Sequence, residues 1–136
     1  MEKKKVKAII GRSKTGFCIM MEGFDIAMSY GDTLEEAKRD FEKFPKEYIK
    51  ISKEAGKEIP PALNDGNLEF EYVYDLAGFF TYYNFISPTK VARRMGMNTA
   101  LMRQYASGCT YLSYAKKKEI EQEIHRIGKE LLAVTF

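Results

Sequence analysis

Apolar and polar positions alternate along Lys4–Ile10, with Val6, Ala8 and Ile10 on one face and Lys7 and Ile9 on the other. A period of two over this length predicts a half-buried strand. Arg12-Ser13-Lys14-Thr15-Gly16 has the composition of a turn, and Phe17, Ile19 and Met21 alternate through a second strand. Glu22-Gly23-Phe24-Asp25 makes another turn before a third strand, Ile26–Tyr30. Short strands with brief Gly-containing connections point to an antiparallel meander. The period then changes. Leu34, Ala37, Phe41, Phe44, Tyr48 and Ile51 form one apolar stripe at helical spacing. Thr33 as N-cap with Glu36 three residues on is a capping box, in which each side chain satisfies a free N–H of the first turn. Pro45 falls inside the stripe and predicts a kink or a break near Phe44. Ser52–Asn67, with Gly56, Pro60, Pro61 and Gly66, reads as a loop, and Leu68, Phe70, Tyr72 and Tyr74 alternate through a fourth strand. Residues 1–75 therefore read as a small antiparallel βββαβ module with its helix on one face of the sheet.

From Asp75 onward the pattern is helical. Asp75 is placed to cap a helix whose apolar positions Leu76, Phe79, Phe80 and Tyr83 run i, i+3, i+4, i+7. Residues 76–136 are expected to be an all-α second domain with this helix as its first. Ser87 caps the next helix, and Pro88 occupies its first position, where the missing N–H costs nothing. Val91, Ala92 and Met95 recur at helical spacing, and Gly96 follows as the residue able to take a left-handed C-terminal turn. Asn98 caps a further helix with Leu101, Met102 and Tyr105 on its apolar side, and Ser107-Gly108 stops it. Two short helices around a Gly turn make a helix-turn-helix unit. Ser113 caps a long last helix. Its stripe of Ile120, Ile124, Ile127, Leu131 and Val134 follows a 4-3-4-3 rhythm. Part of it must close the small domain's core; the rest is either more core or a dimer seam.

The polar residues left over in the helix-turn-helix are those that DNA binding needs. Thr99, Ala100, Arg103 and Gln104 lie away from the apolar stripe of the second helix, with Asn98 and Ser107 at its ends. Arg pairs bidentately with guanine, Gln with adenine, and Ala or the Thr methyl touches a thymine methyl. Lys90, Arg93 and Arg94 on the preceding helix are placed to meet phosphates, which supply affinity and register without sequence information. Two core helices with ordinary solvated charges are the plain alternative. The ordered succession of cap, proline, turn glycine, second cap and stop glycine favours the DNA reader.

Charge sharpens this picture. The chain of 136 residues carries a net charge of +3, unevenly spread. Residues 1–75 hold 13 Lys+Arg against 15 Asp+Glu, a net of −2, whereas residues 76–136 hold 9 against 4, a net of +5. A basic C-terminal part beside a mildly acidic N-terminal part is what a DNA reader joined to a protein-binding module would have. No run approaches the roughly 20 apolar residues of a membrane span. The start, MEKKKVKAII, is too briefly apolar for a signal peptide. Cys18 and Cys109 lie far apart without a partner motif and read as reduced thiols of a cytoplasmic protein. With His125 they make no metal-ligand spacing, so no metal or other cofactor is expected.

The order of a βββαβ module and a helix-turn-helix resembles the HicB family, the antitoxins of HicA–HicB toxin–antitoxin pairs. The resemblance runs over essentially the whole chain. It is carried most specifically by Ile9–Phe17 (IIGRSKTGF), Gly31–Ala37 (GDTLEEA) and Val91–Gly108. The C-terminal part also resembles the lambda-repressor and Cro class of helix-turn-helix. The resemblance implies a partial RNase H-like fold for the N-terminal module, which would bind and block a small HicA-like mRNA-cleaving toxin. It implies that the C-terminal domain binds its own operator, an inverted repeat in double-stranded DNA, as a homodimer or higher homo-oligomer. This chain has MEGFD where many relatives carry a PxxPG turn after the second strand, and Pro45 and the long Ser52–Asn67 loop are further departures. Met20, Met21, Phe24 and Met28 either form an adaptable apolar patch for a partner or belong to the core, with core the preferred reading.

An RNase H-like fold also raises nuclease chemistry, which needs carboxylates converging on two metal ions, normally with one on the first strand. Strand Lys4–Ile10 carries none, so Glu22, Asp25, Asp32, Glu69 and Glu71 read as solvated charges and no catalysis is expected. A stand-alone transcription regulator, with an N-terminal module that senses a ligand or another protein, is the alternative function.

Overall fold

The computed structural model describes residues 2–23, 29–108 and 110–136. The chain is a mixed α+β protein that divides into two compact units, one ending at Tyr82 and the other running from Tyr83 to Phe136.

In the first unit, strands β1 (Lys4–Arg12), β2 (Phe17–Met21), β3 (Ser29–Gly31) and β4 (Leu68–Tyr74) form one sheet in the order β3-β2-β1-β4. The β1–β2 and β2–β3 pairs are antiparallel, with Ile10 opposite Ile19 and Cys18 opposite Tyr30, as a meander requires. Of the third strand expected at Ile26–Tyr30, residues Ile26 to Met28 lie outside the described set, as do Phe24 and Asp25. The expectation of a wholly antiparallel module is corrected by β4. It runs parallel to β1, in register from Lys4↔Leu68 to Ile10↔Tyr74. The cause is the helix between β3 and β4: a helical crossover returns the chain to the end of the sheet where β3 began.

That helix, α1 (Leu34–Glu54), starts at the expected cap Thr33, although the return bond from Glu36 goes to the residue before the cap rather than to Thr33 itself. Thr33 Oγ1 accepts from the Glu36 N–H at 3.2 Å, and Glu36 reaches back to accept from the Asp32 N–H at 3.2 Å. The break anticipated at Pro45 does not occur; α1 is one helix, and Pro45 is buried within it. The inward face follows Leu34, Ala37, Phe41, Pro45, Ile49 and Ser52, so beyond Phe41 the buried line lies one residue past the expected Phe44 and Tyr48. Ile51 is 64% exposed. A 3₁₀ turn over Pro61–Gly66 occupies the expected loop and buries Leu63. Here Asn64 and Asp65 adopt positive φ of 45° and 54°, and Asn64 Nδ2 pins the bend by donating to the Glu2 and Asn67 carbonyls. The core gathers Val6, Ala8 and Ile10 of β1, Phe17, Ile19 and Met21 of β2, and Leu34, Ala37, Phe41 and Ile49 of α1. Phe41 is fully enclosed, its ring centroid 4.6 Å from that of Phe70.

Helix α2 (Leu76–Tyr82) belongs to this unit rather than to the second. Asp75 fixes it in two ways: its N–H donates to the Ile10 carbonyl at 3.0 Å, and its Oδ1 accepts from the Gly78 N–H at 2.7 Å. Gly78 lies directly on the backbone of Ile10 and Gly11. Tyr82 meets Phe17 edge to face with centroids 6.0 Å apart. The boundary expected at Asp75 therefore falls after Tyr82.

The second unit holds α3 (Pro88–Met95), α4 (Thr99–Ser107) and α5 (Tyr114–Leu132). Its buried residues are Val91 and Ala92 of α3, Met102 of α4, and Ile120 and Glu123 of α5. Along the α5 stripe burial fades: Ile120 is closed off, Ile124 and Ile127 are half-buried, and Leu131 and Val134 are 61% and 52% exposed. Among the described residues no helix is long and apolar enough to cross a membrane.

Candidate nucleic-acid interface

Each turn of the α3–α4 unit is set by side chains identifiable in the sequence. Ser87 Oγ accepts from the Lys90 N–H at 3.2 Å, and Pro88 follows as the first helical residue. At the other end Gly96 takes φ 66°, ψ 25°, the left-handed conformation that a Cβ disfavours. Its N–H donates to the Arg93 carbonyl at 3.2 Å and the Met97 N–H to the Ala92 carbonyl at 2.9 Å, the paired bonds of a Schellman ending. Two residues later Asn98 Oδ1 accepts from the Leu101 N–H at 3.0 Å and starts α4. Gly108, at φ 78°, ends it.

Met102 is fully buried in α4, which sets the helix's rotation. Ala100, Arg103, Gln104 and Ser107 are exposed, and Thr99 is half-buried beside them. With spacings of three and four residues they share one side of the helix. The Arg103 guanidinium donates to Thr89 Oγ1 at 3.4 Å, a long contact that leaves most of its donors unengaged. Gln104 Oε1 accepts from the Thr110 hydroxyl at 3.2 Å, and the Ser107 hydroxyl donates to the Gln104 carbonyl at 2.9 Å. Two of the sequence-predicted residues thus have local work: Asn98 is a cap and Ser107 closes its own helix.

The preceding helix divides its cations. Lys90 and Arg93 are exposed and make no ion pair among the described residues. Arg94, expected on phosphate, is engaged within the unit. It donates to Glu123 at 3.4 Å and to Glu130 at 2.7 Å, and both carboxylates, the latter first, raise its pKa further above the ordinary range. Glu123 is the centre of this network, its side chain only 4% exposed and held by Arg126 at 2.8 Å as well. A charge inside the apolar stripe Ile120–Glu123–Ile124–Ile127 was the available signal, because a buried carboxylate needs a cationic partner.

In the first unit, Met21 is buried and 1% exposed, which places it in the core; Met20 is half-buried. Phe24 and Met28, the other two members of the candidate patch, lie outside the described residues. Cys18 is a free thiol whose pKa is raised by burial and by the nearby Asp75 carboxylate. Among the described residues no group of three or more His, Cys, Asp or Glu side chains is placed to hold a metal ion. An open groove of about 630 Å³ runs between β4, α1 and the Pro61–Gly66 turn, lined by Glu42, Pro45, Lys46, Leu68, Phe70 and Tyr72 among others. Sequence periodicity could not indicate it, because it depends on β4 being an edge strand. No family model, curated protein or solved structure matches this chain.

Proposed function

We propose that this chain is the antitoxin of a HicA–HicB-like pair, a two-part protein whose first unit neutralises an mRNA-cleaving toxin and whose second unit represses its own operon. The observation that carries the DNA-binding half is the α3–Gly96–α4 unit, with Ala100, Arg103 and Gln104 exposed along one side of α4 and Lys90 and Arg93 exposed on α3. In that arrangement α4 is the reading helix of a helix-turn-helix. Arg103 and Gln104 supply bidentate base contacts, Ala100 and the Thr99 methyl supply apolar ones, and α3 meets the backbone. Asn98 and Ser107 serve as positioning residues through the cap and the last turn.

The sequence resemblance and the opposite charges of the two parts support the antitoxin half. The partial RNase H-like reading of the first unit is supported by three antiparallel strands, a crossover helix and a fourth strand beside the first. The exposed C-terminal part of the α5 stripe supports a homodimer, the form in which such a unit reads an inverted repeat. Co-expression with the adjacent small open reading frame, followed by pull-down on this chain, tests the proposal. A stable complex that abolishes the neighbour's growth inhibition is the expected result. Specific DNA binding with no complex would instead establish a stand-alone regulator whose first unit senses something else.

A further inference from the structure

The register of the sheet assigns the backbone groups of β4. The Lys4 N–H donates to the Asn67 carbonyl and the Asp75 N–H to the Ile10 carbonyl, at either end of the β1–β4 ladder. In a parallel pair such bonds fall on alternate residues of each strand. Glu69, Glu71 and Val73 therefore turn their N–H and C=O toward β1, and Leu68, Phe70 and Tyr72 turn theirs outward. No other described strand pairs with that side, so β4 is an edge. An edge of this kind is a template for another strand unless something blunts it. Leu68–Tyr72 holds neither proline nor lysine, and the ladder to β1 runs without a bulge.

The two faces beside this edge differ. On the core side Leu68, Phe70, Tyr72 and Pro45 line the groove of about 630 Å³ together with the charged Lys3, Glu42, Lys46 and Asp65, so a strand laid on β4 would direct every second side chain into it, against Leu68, Phe70 and Tyr72. On the opposite side Glu69 and Glu71 are exposed, register-paired with Lys5 and Lys7 of β1. A further strand bearing cations there would continue an alternation of Lys, Glu and Lys across the sheet. A second copy of this chain does not fit. Two β4 strands paired antiparallel about Phe70 set Glu69 opposite Glu71, and about Glu71 they set that residue opposite itself; like charges directly opposed are destabilising.

We propose that the outer edge of β4 takes a β-strand of a basic protein partner, one with Lys or Arg alternating with apolar residues. The strand pairs with the outward groups of Leu68, Phe70 and Tyr72, sets its cations against Glu69 and Glu71, and packs its apolar side chains in the groove. This deepens the antitoxin reading by locating the partner-binding edge, and it rests on the first unit being the partner-binding half.

The test is residue-resolved amide exchange on the full chain, with a capped nine-residue peptide alternating Lys and Val as probe and a Glu–Val peptide as control. The Leu68, Phe70 and Tyr72 amides should exchange freely in the chain alone and slow at least tenfold with the Lys peptide, while Glu69 and Glu71 stay slow throughout. The control peptide should give no protection to the native chain, and Glu69→Lys with Glu71→Lys should invert the preference. Absence of protection, or equal protection by both peptides, overturns the proposal. So does concentration-dependent protection without peptide, which would mean that a second copy occupies the edge. Toxin binding with the edge amides still exposed would refute the edge alone; peptide capture without toxin binding would refute the antitoxin reading alone.

Discussion

Gly78→Ala separates two arguments that predict opposite signs. Gly78 lies inside α2, where helix propensity alone makes alanine better than glycine by about 1 kcal/mol. The packing of α2 on β1 says otherwise. A methyl built at Gly78 overlaps the Ile10 carbonyl oxygen and comes 2.8 Å from the Ile10 carbonyl carbon and 3.1 Å from Gly11 Cα, all of it backbone in the middle of a sheet. Rotamer changes cannot relieve that overlap. The helix must move away, loosening the burial of Ala77 and Phe80 and stretching the Asp75–Gly78 cap. Overpacking of this kind costs about 1–3 kcal/mol, so after the propensity gain of about 1 kcal/mol the net effect is a loss of up to about 2 kcal/mol. For a unit of this size that corresponds to a fall in Tm of up to roughly 15 °C. Urea and thermal unfolding followed by circular dichroism would measure it, and DNA binding at low temperature should be unchanged because α2 belongs to the other unit. A stabilised variant would mean that α2 does not rest on β1 and that the unit boundary lies before it.

Arg103→Ala should cost about 1–3 kcal/mol of operator binding and relax the preference at one base pair; unchanged discrimination in a randomised-site selection would remove α4 as the reading helix. Tyr72, whose hydroxyl donates to Glu42 at 3.1 Å, has its pKa raised above the usual value of 10 by burial first and the Glu42 carboxylate second. The unfolded chain therefore loses this proton before the folded one does. Stability falls as pH rises above 10, and Tyr72→Phe should flatten that slope; equal slopes in urea titrations of the two proteins would refute it. Leu131→Lys with Val134→Lys should turn a sedimenting dimer into a monomer and weaken operator binding at least tenfold, whereas an unchanged sedimentation coefficient would place these residues outside any dimer contact.

The second unit was legible almost residue by residue. Ser87, Pro88, Gly96, Asn98, Gly108 and Ser113 act through hydrogen bonds and φ angles within a few residues of themselves, so the sequence contains the whole cause. Other features depend on residues elsewhere in the chain. In α1 the most buried line runs through Pro45 and Ile49 while Phe44 and Tyr48 pack at its margin, a rotation set by the sheet; a proline is tolerated there because α1 is held by its buried face rather than by every backbone bond. The period of α2 was read correctly, but an i, i+3, i+4, i+7 stripe does not say which core receives it. The direction of β4 follows from a crossover that no local pattern encodes. Arg94 looked like its neighbours Lys90 and Arg93, and only the position of Glu123 distinguishes them.

That distinction between the cations has a measurable consequence. Residues Leu76–Tyr82 carry no charge, so moving the boundary past α2 leaves the second unit as basic as before, yet much of that charge is already paired. Arg94, Lys116, Lys118 and Arg126 are all in ion pairs, whereas on α3 and α4 Lys90, Arg93 and Arg103 make none among the described residues. If Arg103 reads a base, Lys90 and Arg93 remain for phosphates, two per chain and four per dimer. Each neutralised phosphate contributes about −0.9 to the slope of log K against log salt, so operator binding should show a slope of about −3.6. Adding Arg94 would make it about −5.4 on the same scale. Filter binding or fluorescence anisotropy between low and physiological salt resolves the two values. Lys90→Ala should then take about 2 off the slope of the dimer while leaving base preference intact. A wild-type slope near the steeper value would mean that DNA draws Arg94 off Glu123 and Glu130. The buried carboxylate of Glu123 would then keep only Arg126, and operator binding would come at the expense of the α3–α5 contact.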